Sequence, residues 1–467
     1  MISLLTGCLR RIANLSGIDQ TILLTLLTRG WSIGAGIFTI FFVTKYLSAE
    51  LQGYYYTFYS LIALQIFVEL GLTMAIIQFS SHEMASLSWS DNDTVIGDNS
   101  AKRRLQSILL FALSWFAAAA LVMTTALLPI GNYFFKVTYQ GQFLSPDVSL
   151  PWSLLVIATA LNLMVTASVA ILEGCGRVKD VSKLRLSQSV ITAVVVWLTL
   201  AFGGELFALV GSSVAMAGTG MVWIYVKYRT FFRDLLAESK RLPGVNWRRE
   251  IWPFQWRIGI SWMSGYLLFQ LFNPLLLATH GPIVAGKMGM SMQIFSALNG
   301  AAMSWISTKT PLYGQLIARK RRQELDHLFF RALTQSFALL LLGIAVFGLM
   351  IYYLSKIDSS YHTRLLEPHL LFLLALASLG NHIVFAEASY LRAHKEEPFM
   401  LLSVLNGICT ATLSLLLLPM FGAAGAVCAY VTTTLTIGLI YGTLIFNRKR
   451  RLWNAKFSER ILSGDHR

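Results

Sequence analysis

The sequence is poor in charge, and the charge it has is unbalanced. Only 13% of its 467 residues are Asp, Glu, Lys or Arg, whereas an average soluble domain has about 25%. Hydrophobic residues make up 55% of the chain, and 23 acidic residues stand against 38 basic ones. So few charges cannot cover a water-facing surface, so the composition excludes an ordinary soluble domain and indicates an integral membrane protein.

Cysteine is also scarce, and several common catalytic motifs are missing. The four cysteines, Cys8, Cys175, Cys409 and Cys428, are scattered, which predicts neither a disulfide framework nor a metal site. The chain has no Gly-x-x-x-x-Gly-Lys-Ser/Thr, His-Glu-x-x-His or Cys-x-x-Cys pattern. We therefore expect no metal, no cofactor, no ATP hydrolysis and no enzymatic activity.

Long apolar stretches are what the sequence does contain. A transmembrane helix needs about 20 mostly apolar residues. Twelve such stretches begin near Thr21, Tyr54, Ser107, Pro151, Ser187, Leu206, Trp256, Val284, Arg331, Pro368, Phe399 and Gly422. The predicted fold is an all-α integral membrane bundle of about twelve transmembrane helices.

Basic residues accumulate at alternate ends of these stretches. Of the 38 lysines and arginines, 32 lie at one set of ends and only four at the other. Basic residues resist translocation, so the richer set of ends, here called the basic end, is predicted to be cytoplasmic, with both chain termini there. The same distribution predicts contact with anionic lipid headgroups and argues against a nucleic acid partner.

The two halves of the chain show weak internal similarity. The segment ILEGCGRVKDVSKLRLSQSVITA from Ile171 aligns without gaps with SYLRAHKEEPFMLLSVLNGICTA from Ser389, and Arg29 falls over Arg257 at a similar offset. The predicted organisation is an interfacial amphipathic segment at 1–18, an N-terminal six-helix lobe at 19–226 and a cytoplasmic linker at 227–255. A C-terminal six-helix lobe at 256–446 and a basic cytoplasmic tail at 447–467 follow. A parallel repeat of this kind favours a substrate cavity between two lobes, opened alternately to each side.

Three short segments carry a resemblance to a known family. Leu47-Ser48-Ala49-Glu50-Leu51-Gln52-Gly53-Tyr54-Tyr55, Val68-Glu69-Leu70-Gly71-Leu72 and Leu172-Glu173-Gly174-Cys175-Gly176-Arg177 resemble the opening segments of O-antigen-type flippases. These polysaccharide exporters belong to the multidrug/oligosaccharidyl-lipid/polysaccharide (MOP) exporter superfamily. The chain departs from the pattern in a long, initially acidic loop after the second predicted helix. It also departs at Gly286-Lys287-Met288, where a second Gly-Tyr-Tyr motif would stand.

The resemblance implies a fold like that of the MATE transporters and a flippase activity. The implied substrate is an undecaprenyl-diphosphate-linked oligosaccharide, moved from the cytoplasmic to the periplasmic leaflet of a bacterial inner membrane for polysaccharide biosynthesis. The implied protein partners are a polysaccharide polymerase and a chain-length regulator.

Three basic residues within or beside predicted helices are candidate contacts for a diphosphate. Arg29 lies about eight residues into the first helix, roughly 12 Å below the cytoplasmic surface. A guanidinium group binds phosphate oxygens bidentately, so Arg29 and Arg257 are predicted to receive the diphosphate and Lys287 to draw it outward. The alternatives are snorkelling of Arg29 to the headgroups and interfacial anchoring by Lys287.

Four further ionisable residues are candidates for coupling or gating. Glu69 and Arg29 lie at similar depths, so they form either a structural or a functional ion pair. His382 and Glu387 are one to two helical turns apart and are candidates for coupling to the proton gradient. Glu173 closes the fourth predicted helix. For His382 and Glu387, a plain interfacial role is the alternative.

Hinges and sugar contacts complete the predicted site. Gly30 and Gly34 permit a bend or close helix contact, and Pro274 removes a backbone hydrogen bond from the seventh predicted helix. Asn162, Gln270 and Asn299 are candidate sugar contacts, with helix packing as the alternative.

Two other functions stay open at this point. A cation-coupled multidrug exporter of the same superfamily would have the same topology, but Arg29 and Arg257 favour an anionic substrate. An intramembrane glycan polymerase or ligase would need more structure in the outer loops, which are short.

Overall fold

The computed structural model describes residues 20–138, 148–237, 244–357, 361–394 and 397–462. The predicted interfacial segment at 1–18 lies outside these ranges. Nearly all of the described chain is helical, because backbone amide and carbonyl groups in lipid must find their hydrogen-bond partners within the chain.

Seventeen α-helices and one short hairpin make up the described part. The helices are α1 Gln20–Tyr46, α2 Ala49–Ile62, α3 Ile66–Glu69, α4 Leu72–Glu83, α5 Asn99–Thr138, α6 Ser149–Gly174, α7 Val178–Ala201, α8 Phe207–Trp223, α9 Arg229–Leu236, α10 Trp252–Phe269, α11 Phe272–His280, α12 Pro282–Ser307, α13 Thr310–Ala318, α14 Arg322–Lys356, α15 Pro368–Ala393, α16 Met400–Thr433 and α17 Gly442–Leu462. The hairpin pairs β1 Leu87–Trp89 with β2 Val95–Gly97, antiparallel. Short 3₁₀ turns occupy Ala63–Gln65, Met84–Ser86 and His362–Arg364, and π-helical turns occupy Ile224–Tyr228, Trp247–Ile251 and Thr434–Tyr441.

The helices break where the sequence provides a reason. Leu70 and Gly71 both adopt left-handed backbone conformations and separate α3 from α4. Gly422, with φ 56° and ψ −132°, kinks α16. Pro274 lacks the N–H that would bond the carbonyl of Gln270, and the chain breaks between α10 and α11 just before it.

Many of these helices are long and apolar enough to cross a membrane. Within the described residues there are eight, or nine if the bent pair Ala49–Glu69 and Leu72–Ser86 counts as one span. The protein is therefore a multi-pass membrane protein, while the total of twelve helices and the internal repeat stay predictions.

The chain divides into two compact units. The first comprises Met1–Leu51 and Ile62–Trp262, and the second comprises Gln52–Leu61 and Met263–Arg467. This division differs from the predicted one, since ten residues of the second predicted helix join the C-terminal unit, and Arg257 lies in the first unit.

Close packing explains why Gln52–Leu61 belongs to the second unit. A side chain on Gly53 would meet the backbone carbonyl of Pro282, and one on Gly289 would meet the ring of Tyr56. The Gln52 amide also donates to the carbonyl of Gly286 at 2.9 Å. Small residues thus let α2 approach α12 to backbone contact.

The hairpin braces the basic end of the first unit. Trp89 donates its indole N–H to the carbonyl of Cys175 at 2.8 Å, and the Arg177 guanidinium lies 4.1 Å above the indole ring. Arg177 also pairs with Asp93 at 2.6 Å. The acidic loop that departs from the family pattern is therefore an ordered element that covers the α6–α7 turn.

Candidate functional site: a polar pocket in the second unit

A cavity of about 450 Å³ lies inside the second unit. Its size falls in the roughly 300–1,000 Å³ range of small-molecule sites. It is lined by Phe269, Met292, Phe295, Ser296, Asn299, Gly300, Met303, Leu374, Ser378, Asn381, Phe385, Ser389, Arg392 and Tyr430. The lining thus comes from α10, α12, α15 and α16, and α15 contributes residues along most of its length.

One wall of the pocket combines an amide with aromatic rings. Asn381 donates to the Tyr430 hydroxyl at 2.7 Å, and both side chains are buried. The ring of Phe269 lies 6.1 Å from that of Tyr430 and 6.3 Å from that of Phe385. Flat apolar faces beside fixed amide and hydroxyl groups suit a ligand that has both apolar and hydroxyl-bearing surfaces.

A second wall rests on a buried histidine. Asn299 lines the pocket, and its side-chain oxygen lies 2.9 Å from Nδ1 of His382. Nε2 of His382 lies 2.9 Å from the hydroxyl of Ser336 on α14. His382 is fully buried, so it acts on the pocket only through the residues it holds.

The single charged residue of the lining stands near the basic end. Arg392, in the last turn of α15, is exposed and donates to the carboxylate of Glu397 at 2.9 Å. The pocket lining itself contains no carboxylate. Because Glu397 balances the charge of Arg392, the pocket is close to electrically neutral.

Glu387 lies on α15 but outside this lining. Its side chain is buried, and its carboxylate accepts a hydrogen bond from Thr443 at 3.3 Å. Glu387 and His382 thus have separate hydrogen-bond partners on separate helices, and their predicted role in coupling stays a prediction.

Whether the three predicted diphosphate contacts come together stays a prediction. The side chain of Arg29 lies outside the described residues. Arg257 is exposed on α10 in the first unit, with its guanidinium 5.6 Å from the centre of the Trp256 ring. Lys287 is half-buried on α12 in the second unit.

The two predicted carboxylates of the first unit each have a polar partner there, and the predicted pairing of Glu69 with Arg29 falls on a side chain outside the described residues. Glu69 accepts from the Thr73 hydroxyl at 2.5 Å across the α3–α4 break. Glu173 pairs with Arg185 of α7 at 2.5 Å, beside the α6–α7 turn. Glu173 thus contributes to an ion pair with an exposed arginine, and its role in coupling or gating stays a prediction.

The predicted hinge positions differ in their surroundings. At Gly30 and Gly34 an added Cβ would meet no described atom within 4 Å, and α1 runs through both without a break. Close packing against the described residues is therefore not what requires glycine there. At Pro274 the helix is broken, and whether it bends during function stays a prediction.

The predicted sugar contacts also differ. Asn299 lines the pocket. Gln270 accepts a hydrogen bond from the Ser60 hydroxyl at 3.1 Å, and Ser60 accepts one from the Asn273 amide at 3.0 Å. These bonds join α2 to the break between α10 and α11. Asn162 is in the first unit, where its amide contacts the sulfur of Met216 at 3.5 Å.

The aromatic wall of the pocket could not be predicted from the sequence. Phe269, Phe385 and Tyr430 lie in apolar stretches with many similar residues, and no spacing marks them. Polar residues do stand close to them in the sequence, such as Gln270 after Phe269 and the threonines at 432–434 after Tyr430.

The described cysteines and acidic residues form no metal site. No group of three His, Cys, Asp or Glu residues among the described ones is arranged to hold a metal ion. Cys175, Cys409 and Cys428 are free, and burial raises the pKa of the Cys175 thiol to about 12. Cys175 is therefore a packing residue rather than a reactive thiol.

The fold is similar to those of solved transporters of the MOP superfamily. An inward-facing multidrug resistance transporter of the MATE family matches with a TM-score of 0.63 and 14% identity, over 91% of this chain and 95% of that one. The lipid II flippase MurJ, in an inward closed conformation, matches with a TM-score of 0.57 and 12% identity, over 94% of this chain and 91% of that one. A MOP superfamily transporter from Pyrococcus furiosus matches with a TM-score of 0.56 and 14% identity, over 92% of this chain and 96% of that one. Its binding pocket is described as having reverse polarity. At these identities the likeness shows the fold alone.

Sequence comparison supplies the family. No curated protein matches the chain. The family model described as polysaccharide biosynthesis protein matches residues 19–316, which is more than half of the 467 residues. The chain therefore belongs to the polysaccharide biosynthesis protein family of MOP superfamily transporters.

Proposed function

We propose that this protein is a flippase for an undecaprenyl-diphosphate-linked oligosaccharide. It would work by alternating access in a bacterial inner membrane, with both termini cytoplasmic, and move the glycan to the periplasmic leaflet. Family membership gives the broad class, a transporter or flippase for polysaccharide biosynthesis. The pocket gives the reason to prefer a saccharide substrate.

The observation that carries the proposal is the carboxylate-free lining of the pocket. A cationic drug would need anionic groups in its site, because a buried cation without a counter-charge is costly. Here the lining offers amides, hydroxyls, aromatic rings and one guanidinium, Arg392. Hydroxyl-rich and anionic ligands satisfy these groups, whereas cationic ligands do not.

The lipid diphosphate is assigned to the basic residues outside this pocket. Arg29 and Arg257 would bind it at the cytoplasmic side, and Lys287 would contact it later in the cycle. Exposed guanidinium groups bind phosphate oxygens bidentately, and Arg257 is exposed on α10. Glu69, Gly30, Gly34 and Pro274 are proposed gating and hinge positions in the same cycle.

The experiment is flipping in proteoliposomes that contain the full-length protein. The probe is a fluorescent undecaprenyl-diphosphate-linked N-acetylglucosamine, whose accessibility to a membrane-impermeant quencher reports the leaflet it occupies. Rhodamine 6G, a cationic dye, is tested in parallel. We expect flipping of the saccharide lipid and no dye transport, and dye transport without flipping would identify a drug exporter instead.

Variants test the pocket and the basic residues separately. Asn381→Leu removes a pocket amide, and we expect it to slow flipping about 10-fold, since one buried polar contact is worth about 1.4 kcal/mol. Arg257→Gln is expected to slow flipping of the diphosphate-linked lipid. Arg229→Gln, an exposed arginine of the basic end on α9, is the matched control.

A further inference from the structure

Helix α15 presents one continuous face to the pocket. Its lining residues follow one another at intervals of three or four, which places them on one side of the helix. They are Leu374, Ser378, Asn381, Phe385, Ser389 and Arg392. Between Ser378 and Arg392 the helix rises roughly 21 Å. The cavity is therefore elongated, and its shape fits a linear ligand.

The end of the pocket at Ser378 and Asn381, here called the inner end, has hydrogen-bonding capacity left over. The Tyr430 hydroxyl accepts from the Asn381 amide at 2.7 Å, so its own proton is left for a ligand acceptor. The hydroxyl of Ser378 is buried and has no hydrogen-bond partner among the described residues. Because a buried hydroxyl without a partner is costly, a hydroxyl-bearing ligand would stabilise this end.

The opposite end of the pocket carries its one charged residue, Arg392. The side chain is 57% exposed, and its Nε atom donates to one carboxylate oxygen of Glu397 at 2.9 Å. Among the described residues, the two terminal NH₂ groups of the guanidinium have no hydrogen-bond partner. A guanidinium with free terminal groups can bind two phosphate oxygens at once.

Glu397 opposes the binding of an anion at this end. Both side chains of the Arg392–Glu397 pair are more than half exposed, so the pair contributes little to stability and is easily exchanged. While it is formed, the carboxylate neutralises the guanidinium and repels a phosphate group that approaches it. Glu397 is thus an internal competitor for Arg392.

We propose that Arg392 binds the diphosphate of the lipid-linked saccharide, that the glycan extends along α15 to Ser378, and that Glu397 competes with the diphosphate. This rests on the proposed function and deepens it, because it adds a diphosphate contact within the pocket and gives the glycan a direction. The first sugar lies near Ser389, and later sugars lie near Asn381. Since Arg392 is at the basic end, the glycan enters the pocket ahead of the diphosphate.

The test is titration calorimetry on the full-length protein in phosphatidylcholine nanodiscs, with empty nanodiscs as the blank. The charged probe is citronellyl-diphosphate-linked N-acetylglucosamine, and the neutral probe is citronellyl N-acetylglucosaminide, which lacks the phosphates. We expect Arg392→Gln to weaken binding of the charged probe about 10-fold, since charge-assisted hydrogen bonds are lost, and to leave the neutral probe unchanged. Arg392→Lys keeps the charge but not the planar fork, so it should restore only part of the affinity.

Glu397→Gln should change the affinity in the opposite direction. Glutamine keeps an oxygen that can accept from Nε but removes the negative charge, so we expect the charged probe to bind about fivefold more tightly. The effect should be much smaller in the Arg392→Gln background, where Glu397 is no longer held beside the phosphates. The matched control is the exposed pair Arg321–Glu324 of the same unit. Arg321→Gln and Glu324→Gln should leave both affinities unchanged.

A substitution at the inner end tests the direction of the glycan. Ser378→Ala should weaken both probes by the same factor, about threefold, because both carry the sugar. Ser414→Ala, at a buried serine of α16 outside the lining, should weaken neither. Inorganic pyrophosphate should compete with the charged probe but not with the neutral one. Competition with the neutral probe would place the sugar at Arg392 and contradict the proposed direction.

Four results would overturn the proposal. They are equal binding of the two probes by the unmodified protein, equal effects of Arg392→Gln on both probes, weaker binding of the charged probe in Glu397→Gln, and loss of the Arg392 effect when phosphatidylglycerol is added to the nanodiscs. The last result would assign Arg392 to ordinary anionic headgroups. If any of these is found while proteoliposomes still flip the saccharide lipid, only this proposal fails. Absence of flipping is what rejects the proposed function.

Discussion

The two units place their polar contacts differently. In the first unit, ion pairs gather at the basic end: Lys102–Asp234, Arg104 with Glu83 and Glu250, Arg177–Asp93, Arg185–Glu173 and Lys227–Asp180. The second unit also has ion pairs, as at Arg450–Asp326 and Arg392–Glu397, but its neutral side-chain hydrogen bonds lie deep among the helices, as at His382–Asn299 and Asn381–Tyr430. Ion pairs near water cost little desolvation and brace a structure, whereas buried neutral groups can present a specific surface to a ligand. The comparison indicates that the first unit is braced at its surface and the second carries a ligand site.

The largest expected effect tests the close packing of the second unit. Gly53→Ala would place its Cβ 1.9 Å from the carbonyl oxygen of Pro282, so α2 and α12 must separate. We expect a loss of about 3 kcal/mol in the free energy of unfolding. Thermal unfolding in nanodiscs measures it. Gly348→Ala, where no described atom lies within 4 Å of the added Cβ, is the control and should be neutral or slightly stabilising.

The next effect tests the brace of the first unit. Trp89→Ala removes the bond to Cys175 and the surface on which Arg177 stacks, and we expect a loss of about 2 kcal/mol. The readouts are thermal unfolding and the rate of proteolysis within residues 87–97. Ser88→Ala, exposed on the same strand, should change neither. Equal effects of the two substitutions would show that the hairpin does not brace the unit.

A smaller effect tests the neutral network of the pocket. Tyr430→Phe leaves the Asn381 amide without its acceptor, which costs about 1–2 kcal/mol of stability. The same variant should reduce flipping of the saccharide lipid. Tyr441→Phe, at an exposed position, is the matched control. A similar loss in both variants would contradict the assigned role of the Asn381–Tyr430 bond.

The smallest effect tests the surface ion pairs of the first unit through pH. The Arg104 hydrogen bond, followed by a backbone hydrogen bond from Asn246, lowers the pKa of Glu250 below its ordinary 4.5. A lowered folded-state pKa means that the stabilisation is complete above pH 4.5 and is lost as the pH falls through the lower folded-state value.

Glu250→Gln should therefore reduce the acid sensitivity of the thermal unfolding midpoint. The difference at neutral pH should be less than about 1 kcal/mol, because Glu250 is partly exposed and solvent screens the pair. Glu205→Gln, at an exposed position, should leave the pH profile unchanged. If Glu250→Gln also left the pH profile of thermal unfolding unchanged, Glu250 would not contribute to the stability of the first unit.

The sequence predicted the class of the molecule well and its site only in part. Apolar length, charge scarcity and three short motifs sufficed for a helical membrane protein of the MOP superfamily, because lipid imposes helices and insertion imposes charge asymmetry. Asn299 and His382 were identified as polar residues in apolar stretches. Tyr430 and Phe269 were not, since aromatic residues in a membrane helix are as common on lipid-facing surfaces as in a pocket.

The division into two units also could not be predicted from the sequence. A linear boundary at 227–255 follows loop length and charge, but membership of a packed unit depends on contacts that are remote in sequence. Gly53 against Pro282 is such a contact, and it joins Gln52–Leu61 to the C-terminal helices.

By itself, the sequence determined that this chain enters the membrane many times as helices and belongs to a polysaccharide biosynthesis family. Those properties depend on residue composition and on local order, which any reader of the chain can count. Tertiary structure alone decided that Asn299, Asn381 and Tyr430 share a pocket and that His382 is bonded behind it, because hydrogen bonds between helices depend on which faces meet.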